Sequence, residues 1–265
     1  MSINRVYSRL AMGFGAASLS GAAFAAGGTA AAGNSVGLVV PSYFNATQSV
    51  ANWASLAASA RKVPTTAILN PNSGPGTSAD ANYAAAVSRL HAAGGKVIGY
   101  VSTSYAKRPL SAVVADINSY VAFYKVDGFF IDEMTSDSRT AHIQFYQSIY
   151  NYIKGLGQTY SVTGNPGTNI PELYATLPTA DAFVVFEGNA KDYRSYRPMS
   201  WQANYPRSRF THIIYNASAA QLQTVVSYAK THGAGSVYVT SRTGSNPYNA
   251  LPAYWNDEVA DALAP

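Results

Sequence analysis

The sequence predicts an α/β protein, a single-domain (β/α)8 TIM-like barrel, from three observations. Short apolar runs alternate eight times with longer segments of helical spacing. The runs are rich in Val, Ile and aromatic residues and apolar on both faces, as buried parallel strands are. The chain beyond its first segment, roughly 230–240 residues, suits one barrel. Eight β-then-α units in one domain is the barrel count, with a doubly wound open sheet as the alternative topology.

The first segment stands outside the fold. Residues 1–26 carry Arg5 and Arg9, no acid, a weakly apolar stretch of small residues and an Ala23-Phe24-Ala25 end. This is the pattern of a secretory signal peptide, too short and too broken by glycine to span a membrane. Residues 27–35 form a flexible Gly/Ala lead-in. The barrel domain is expected over 36–265.

The strands and their helices follow in order. Val36–Pro41 precedes VANWASLAASA. Thr65–Asn70 precedes ADANYAAAVSRLHAAGG. Lys96–Val101 leads to LSAVVADINSYVAFY. Asp127–Asp132 leads to SRTAHIQFYQSIYNYIKGLG, where Ile143, Tyr146, Ile149, Tyr150 and Ile153 make one apolar face. Tyr160–Asn165 precedes IPELYATL. Ala182–Glu187 precedes NAKDYRSYRPMSW, a polar segment and the weakest helix of the eight. Phe210–Tyr215 precedes SAAQLQTVVSYAKTHG, and Gly235–Thr240 precedes NALPAYWNDEVADAL. Gly94-Gly95, Gly155 and Gly233 stand where helix ends call for left-handed residues.

Composition narrows the function. Only 12% of residues are charged, so the solvated surface is built from Ser, Thr, Asn, Gln and Tyr. Twenty tyrosines and three tryptophans supply flat faces with a polar edge, useful against sugars. Removing the two leader arginines lowers the formal charge from +5 to +3, and no Lys/Arg run is present, so nucleic-acid binding is not supported. The absence of cysteine excludes disulfides and thiolate-held metals. No glycine-rich phosphate motif is complete. A monomer without cofactor or metal is expected.

Barrel active sites lie at the C-terminal ends of the strands, and the opposite face serves stability. Asp127 and Asp181 precede strands, on the stability face. Asp80, Asp116, Asp137, Glu172, Asp192, Asp257, Glu258 and Asp261 fall in helical segments or the turns leading to them. Only Asp132, Glu133 and Glu187, of thirteen acids, come at strand C-termini. Two carboxylates across a cleft are the equipment of glycoside hydrolysis, one protonated to assist the leaving oxygen and one ionised. Adjacent strand residues point to opposite sides, so Asp132 and Glu133 share a role only if the strand ends between them. Asn70 and Asn165 end strands and offer donors and acceptors to sugar hydroxyls. Tyr43, Tyr100, Tyr105, Tyr215, Trp201 and Trp255 are candidates for stacking on sugar rings. His91, His142, His212 and His232 lack metal-ligand spacing and are expected to be structural.

Five blocks in order, ILNPNSGPG, GYVSTSYAKRP, YKVDGFFIDEM, VTGNPGT and VFEG, resemble the spherulin-4 family. That family includes fungal enzymes of glycoside hydrolase family 135, which cut α-1,4-linked galactosamine-containing exopolysaccharide on a (β/α)8 fold. The signal peptide implies a secreted or periplasmic protein, and the resemblance implies an endo-acting enzyme with a polysaccharide substrate. Its important acids correspond to Asp132, Glu133 and Glu187, the residues already reached from strand ends. In an α-linked amino sugar the 2-acetamido group is cis to the leaving group and cannot attack from the opposite face. An enzyme carboxylate is therefore favoured as nucleophile over substrate assistance; Asp132 is taken as that nucleophile and Glu187 as general acid/base, with Glu133 the alternative to either. A non-catalytic polysaccharide-binding protein and a metal-dependent lyase or aldolase are the competing expectations.

Overall fold

A computed structural model describes residues 35–265; the expected signal peptide and nearly all of the lead-in lie outside them. Eight parallel strands close into one barrel, each paired with its sequence neighbours and the last with the first. They are β1 (Gly37–Ser42), β2 (Thr65–Leu69), β3 (Lys96–Ser102), β4 (Gly128–Asp132), β5 (Ser161–Gly164), β6 (Ala182–Asn189), β7 (Phe210–Tyr215) and β8 (Ser236–Val239). Every strand lies where the apolar runs predict it, and closure decides for the barrel over the open sheet.

The helices between them are α1 (Val50–Ala60), α2 (Ala81–Ala92), α3 (Leu110–Phe123), α4 (Thr140–Leu156), α5 (Leu173–Thr176), α6 (Ala190–Tyr193), α7 (Leu222–Thr231) and α8 (Trp255–Leu263). Asp80 caps α2, its carboxylate accepting from the Asn82 and Tyr83 amides. Ile143, Tyr146, Ile149 and Ile153 of α4 are buried, as their spacing requires. Both α5 and α6 are single turns, and short 3-10 turns follow α6 where the segment is most polar. Gly94 and Gly233 adopt φ of +85° and +81° after α2 and α7. Gly155 instead stays inside α4, which closes at Gly157 in extended backbone, φ 177°.

The core is continuous through the barrel interior and the layer between strands and helices. The stability face is stitched by the two acids that precede strands. Asp127 accepts from the Val97 amide at 2.7 Å and pairs with His91 at 2.8 Å. Asp181 accepts from the Val162 amide, Lys154 Nζ and Tyr150 Oη at 2.7–2.9 Å. Strand starts are thus registered by carboxylates at one end, leaving the other end free for chemistry.

Candidate active site

β4 ends at Asp132, and Glu133 enters left-handed backbone, φ +52°. The strand therefore does end between the two acids. Instead of pointing to opposite faces, both line one cavity of about 370 Å³ with Tyr105, Asn165, Pro166, Gly167, Glu187 and Tyr215. The third acid arrives from β6 through a bulge: the register with β7 slips between Val184 and Phe186, which re-aims the residues beyond it. Phe186 then packs outward on Tyr193 and Tyr196. Glu187 turns to the mouth, its amide donating to the Gly167 carbonyl at 2.9 Å.

Asn165 joins the acids. Its amide nitrogen donates to the Ile131 carbonyl and its carbonyl accepts from the Met134 amide, which fixes it beside the end of β4. Its side-chain Nδ2 donates to Asp132 Oδ1 and to Glu187 Oε2, each at 2.7 Å. Two bonds from one nitrogen hold those two oxygens no more than about 5.4 Å apart, twice the 2.7 Å bond length. The opposite amide orientation would set an oxygen against two carboxylates. Asn165 Oδ1 itself is buried without a partner.

Tyrosines complete the ring. Tyr100 of β3 stands beside Asp132, with its ring against Tyr43. Tyr248, in the loop after β8, donates to Glu187 Oε1 at 2.7 Å. Tyr43, just beyond β1, meets Tyr100 and Tyr248 edge to face, both at 5.6 Å between ring centres. Burial, then the Glu187 charge, raises the Asp132 carboxyl to about 6 against the opposing influence of Tyr100 and Asn165. Burial and the neighbouring acids push the Tyr43, Tyr100 and Tyr248 phenols above their ordinary value, so all three keep their protons. Glu133 has a separate setting. Its carboxylate accepts from Ser102 Oγ and, at 3.4 Å, from Ser104 Oγ. Ser104, Tyr105 and Ala106 form a left-handed turn, φ +46° to +61°, tied down by the Tyr105 amide on the Glu133 carbonyl. Such backbone is costly, and it concentrates at functional sites.

A second cavity of about 510 Å³ opens on the other side of the same acids. It is lined by Asp132 and Glu187 with Tyr43, Asn70, Asn72, Ser73, Asn246 and Tyr248. Asn70 also serves its own loop, its Oδ1 accepting from the Gly74 amide. The structure thus brings Tyr43, Asn70, Tyr100, Tyr105, Asn165 and Tyr215 around Asp132, Glu133 and Glu187.

Two sequence candidates are corrected. Trp201 is buried against Tyr205 and Phe210, at the N-terminal end of β7 and so on the stability face. Trp255 is buried at the start of α8 against Tyr238. Both are core residues, because the helical layer needs large apolar side chains more than the mouth does. The histidines stand apart from the mouth as well: His212 is fully buried, bonded to Tyr193 Oη, and burial pushes its imidazole down to about 3.

Sequence reasoning missed Tyr248, Ser102 and Ser104. Ser102 and Ser104 flank the end of β3, a position that marks them once the strand is assigned. Nothing local separates Tyr248 from the other tyrosines. Among the described residues, no three His, Cys, Asp or Glu side chains approach closely enough to hold a metal ion. Nor, among those residues, does any ion pair involve the three mouth acids.

Fold and site together define a (β/α)8 barrel protein with a carboxylate-lined, tyrosine-walled cleft at the C-terminal mouth. The sequence matches Spherulation-specific family 4 (Spherulin4) across residues 37–262. It is 32% identical over 244 residues to Spherulin-4 of Physarum polycephalum, covering 88% of this chain and 71% of that protein. The chain belongs to the Spherulin-4 family. The structure resembles that of Aspergillus clavatus Sph3 in complex with GalNAc, with a TM-score of 0.76 at 24% identity, over 86% of this chain and 97% of that one. It also resembles cyclic α-maltosyl-(1→6)-maltose hydrolase from Arthrobacter globiformis, with a TM-score of 0.53 at 9% identity, over 84% and 74% of the two chains. These two likenesses are of fold.

Proposed function

We propose that this protein is a secreted or periplasmic endo-acting glycoside hydrolase. Its substrate is a microbial exopolysaccharide containing α-1,4-linked galactosamine or N-acetylgalactosamine. The observation that carries the reading is the Asn165 bridge, which sets Asp132 and Glu187 within about 5.4 Å, oxygen to oxygen. Retaining glycosidases hold their carboxyls about 5–5.5 Å apart, and inverting enzymes about 6.5–9.5 Å. Membership in a family that includes such hydrolases agrees with it. The cavities on either side of the pair favour attack within a chain, with sugars bound to both sides of the broken bond. One copy holds every group the reaction uses, in keeping with a monomer.

Asp132 attacks the anomeric carbon while Glu187 gives its proton to the departing glycosidic oxygen. The carbon–oxygen bond breaks and a glycosyl ester forms on Asp132. Water then enters; Glu187 takes its proton, and hydroxide displaces Asp132 with a second inversion. Asn165 holds the attacking carboxylate, with Tyr100 beside it. Glu133, on the 370 Å³ side, is left to contact the sugar.

The test uses α-1,4-galactosamine polymers, with mass spectrometry of the products. Glu187→Gln should stop cleavage while the fold is kept. With an activated aryl glycoside, azide should rescue Glu187→Ala to the retained glycosyl azide and Asp132→Ala to the inverted one. Normal hydrolysis by Glu187→Gln, or inverted sugar from the unaltered enzyme, would overturn the mechanism. Polymer binding without release of reducing ends would identify a binding protein instead.

A further inference from the structure

Tyr248 lies 61 positions from Glu187 in a different loop, yet its hydroxyl sits 2.7 Å from Glu187 Oε1. The ring is 6% exposed, wedged between Tyr43 at 5.6 Å and Tyr238 at 6.2 Å. Its own amide is fastened to Asn246 Oδ1 at 3.0 Å. The hydroxyl therefore has one place to point. Asn165 Nδ2 holds the other oxygen, Oε2, at 2.7 Å. The two oxygens of Glu187 are thus met by different donors, from loops on different sides of the barrel.

The donors are not equivalent. An ionised carboxylate accepts from both. A protonated one has a carbonyl oxygen, still an acceptor, and a hydroxyl oxygen that must donate. A phenol oxygen both donates and accepts, so the Tyr248 bond to Oε1 survives whether Oε1 belongs to a carboxylate, is the carbonyl oxygen or carries the proton. Asn165 Nδ2 only donates, so its bond holds while Oε2 is unprotonated and is lost when Oε2 takes the proton. Nδ2 can stay on Asp132 Oδ1 throughout.

We infer that Tyr248 is a positioning residue that fixes Oε1 of Glu187 in either protonation state and so sets the orientation in which the carboxyl carries its transferable proton. The inference rests on the reading of Glu187 as proton carrier. Holding one oxygen leaves the carboxyl one orientation in which to meet the glycosidic oxygen, which is what efficient proton transfer needs.

The experiment compares the unaltered enzyme with Tyr248→Phe, Glu187→Gln and the double variant. Phenylalanine keeps the ring packing on Tyr43 and Tyr238, and thermal melting checks the fold. On polymer, Tyr248→Phe should lower kcat about tenfold or more with KM little changed. Its alkaline limb should move to higher pH, because a carboxylate that loses a donor holds a proton more tightly. Cleavage of an aryl glycoside whose leaving group needs no proton should be spared. The double variant should be no slower than Glu187→Gln alone, since Tyr248 acts only through that side chain. A 3-fluorotyrosine at position 248, a stronger donor of nearly the same shape, is the second probe and should move the alkaline limb the other way. An inactive Glu187→Gln beside a Tyr248→Phe of normal kcat and pH profile would overturn the inference. A fluorotyrosine profile that does not move would do the same. Full activity of Glu187→Gln would instead overturn the role of Glu187.

Discussion

At the scale of the residue, Asp132 carries the clearest electrostatic signature. Burial and the Glu187 charge raise its carboxyl to about 6. A nucleophile must be ionised, so kcat/KM should fall as pH drops through about 6. Were Asp132 the acid instead, activity would be lost as pH rises past the same value, and the pH–rate profile separates the two. The same shift has a cost in stability. The native state binds this proton more tightly than the unfolded chain, so stability declines between about pH 4 and 6 and stays reduced above. Asp132→Asn should therefore be inactive yet more stable at pH 7, by on the order of 1–2 kcal/mol after allowance for solvent screening. The gain should vanish near pH 4. Urea midpoints at the two pH values measure it, and an equal or lower midpoint at pH 7 would contradict the assigned cost. The acids were legible because acids are scarce and their strand positions readable. Tyr248 was not, because its partner comes from another loop and no local pattern encodes the meeting.

At the scale of the element, the strand ends do the positioning. β4 stops after Asp132, and left-handed backbone at Glu133 brings two neighbouring carboxylates to one side. The bulge in β6 carries Glu187 inward while Phe186 turns out. Neither device shows in hydrophobic periodicity: a bulge or a single left-handed residue is chosen by pairing with other strands. The short turns α5 and α6 likewise depend on tertiary support, since isolated helices of that length do not hold. Trp201 tests the division between the barrel's ends. Its side chain fills the space beside Phe210 and Tyr205. Trp201→Ala should cost about 3–5 kcal/mol of stability and leave kcat of the folded enzyme unchanged. Thermal melting with kinetics below the transition checks both, and a specific loss of kcat would place Trp201 in the cleft after all.

At the scale of the whole molecule, charge is arranged against the average. The chain is net basic, +5 formally, yet its mouth gathers three carboxylates that no described cation pairs. That mouth should draw a cationic polymer. The kcat/KM for partly deacetylated galactosamine polymer should fall several-fold between about 20 mM and 500 mM salt, and that for a fully acetylated one should not. Equal salt dependence for the two would show that the mouth does not select charge. The eight strands, the long helices, the eight β/α units and the scarce acids at strand ends are legible in the sequence, because periodicity and end chemistry are local; closure of the barrel is not. Only the tertiary structure decided that Asn165 spans Asp132 and Glu187, that Tyr248 reaches Glu187 from another loop, and that Trp201 and Trp255 belong to the core. Those facts depend on contacts between residues far apart in the chain, and barrel closure alone makes them neighbours.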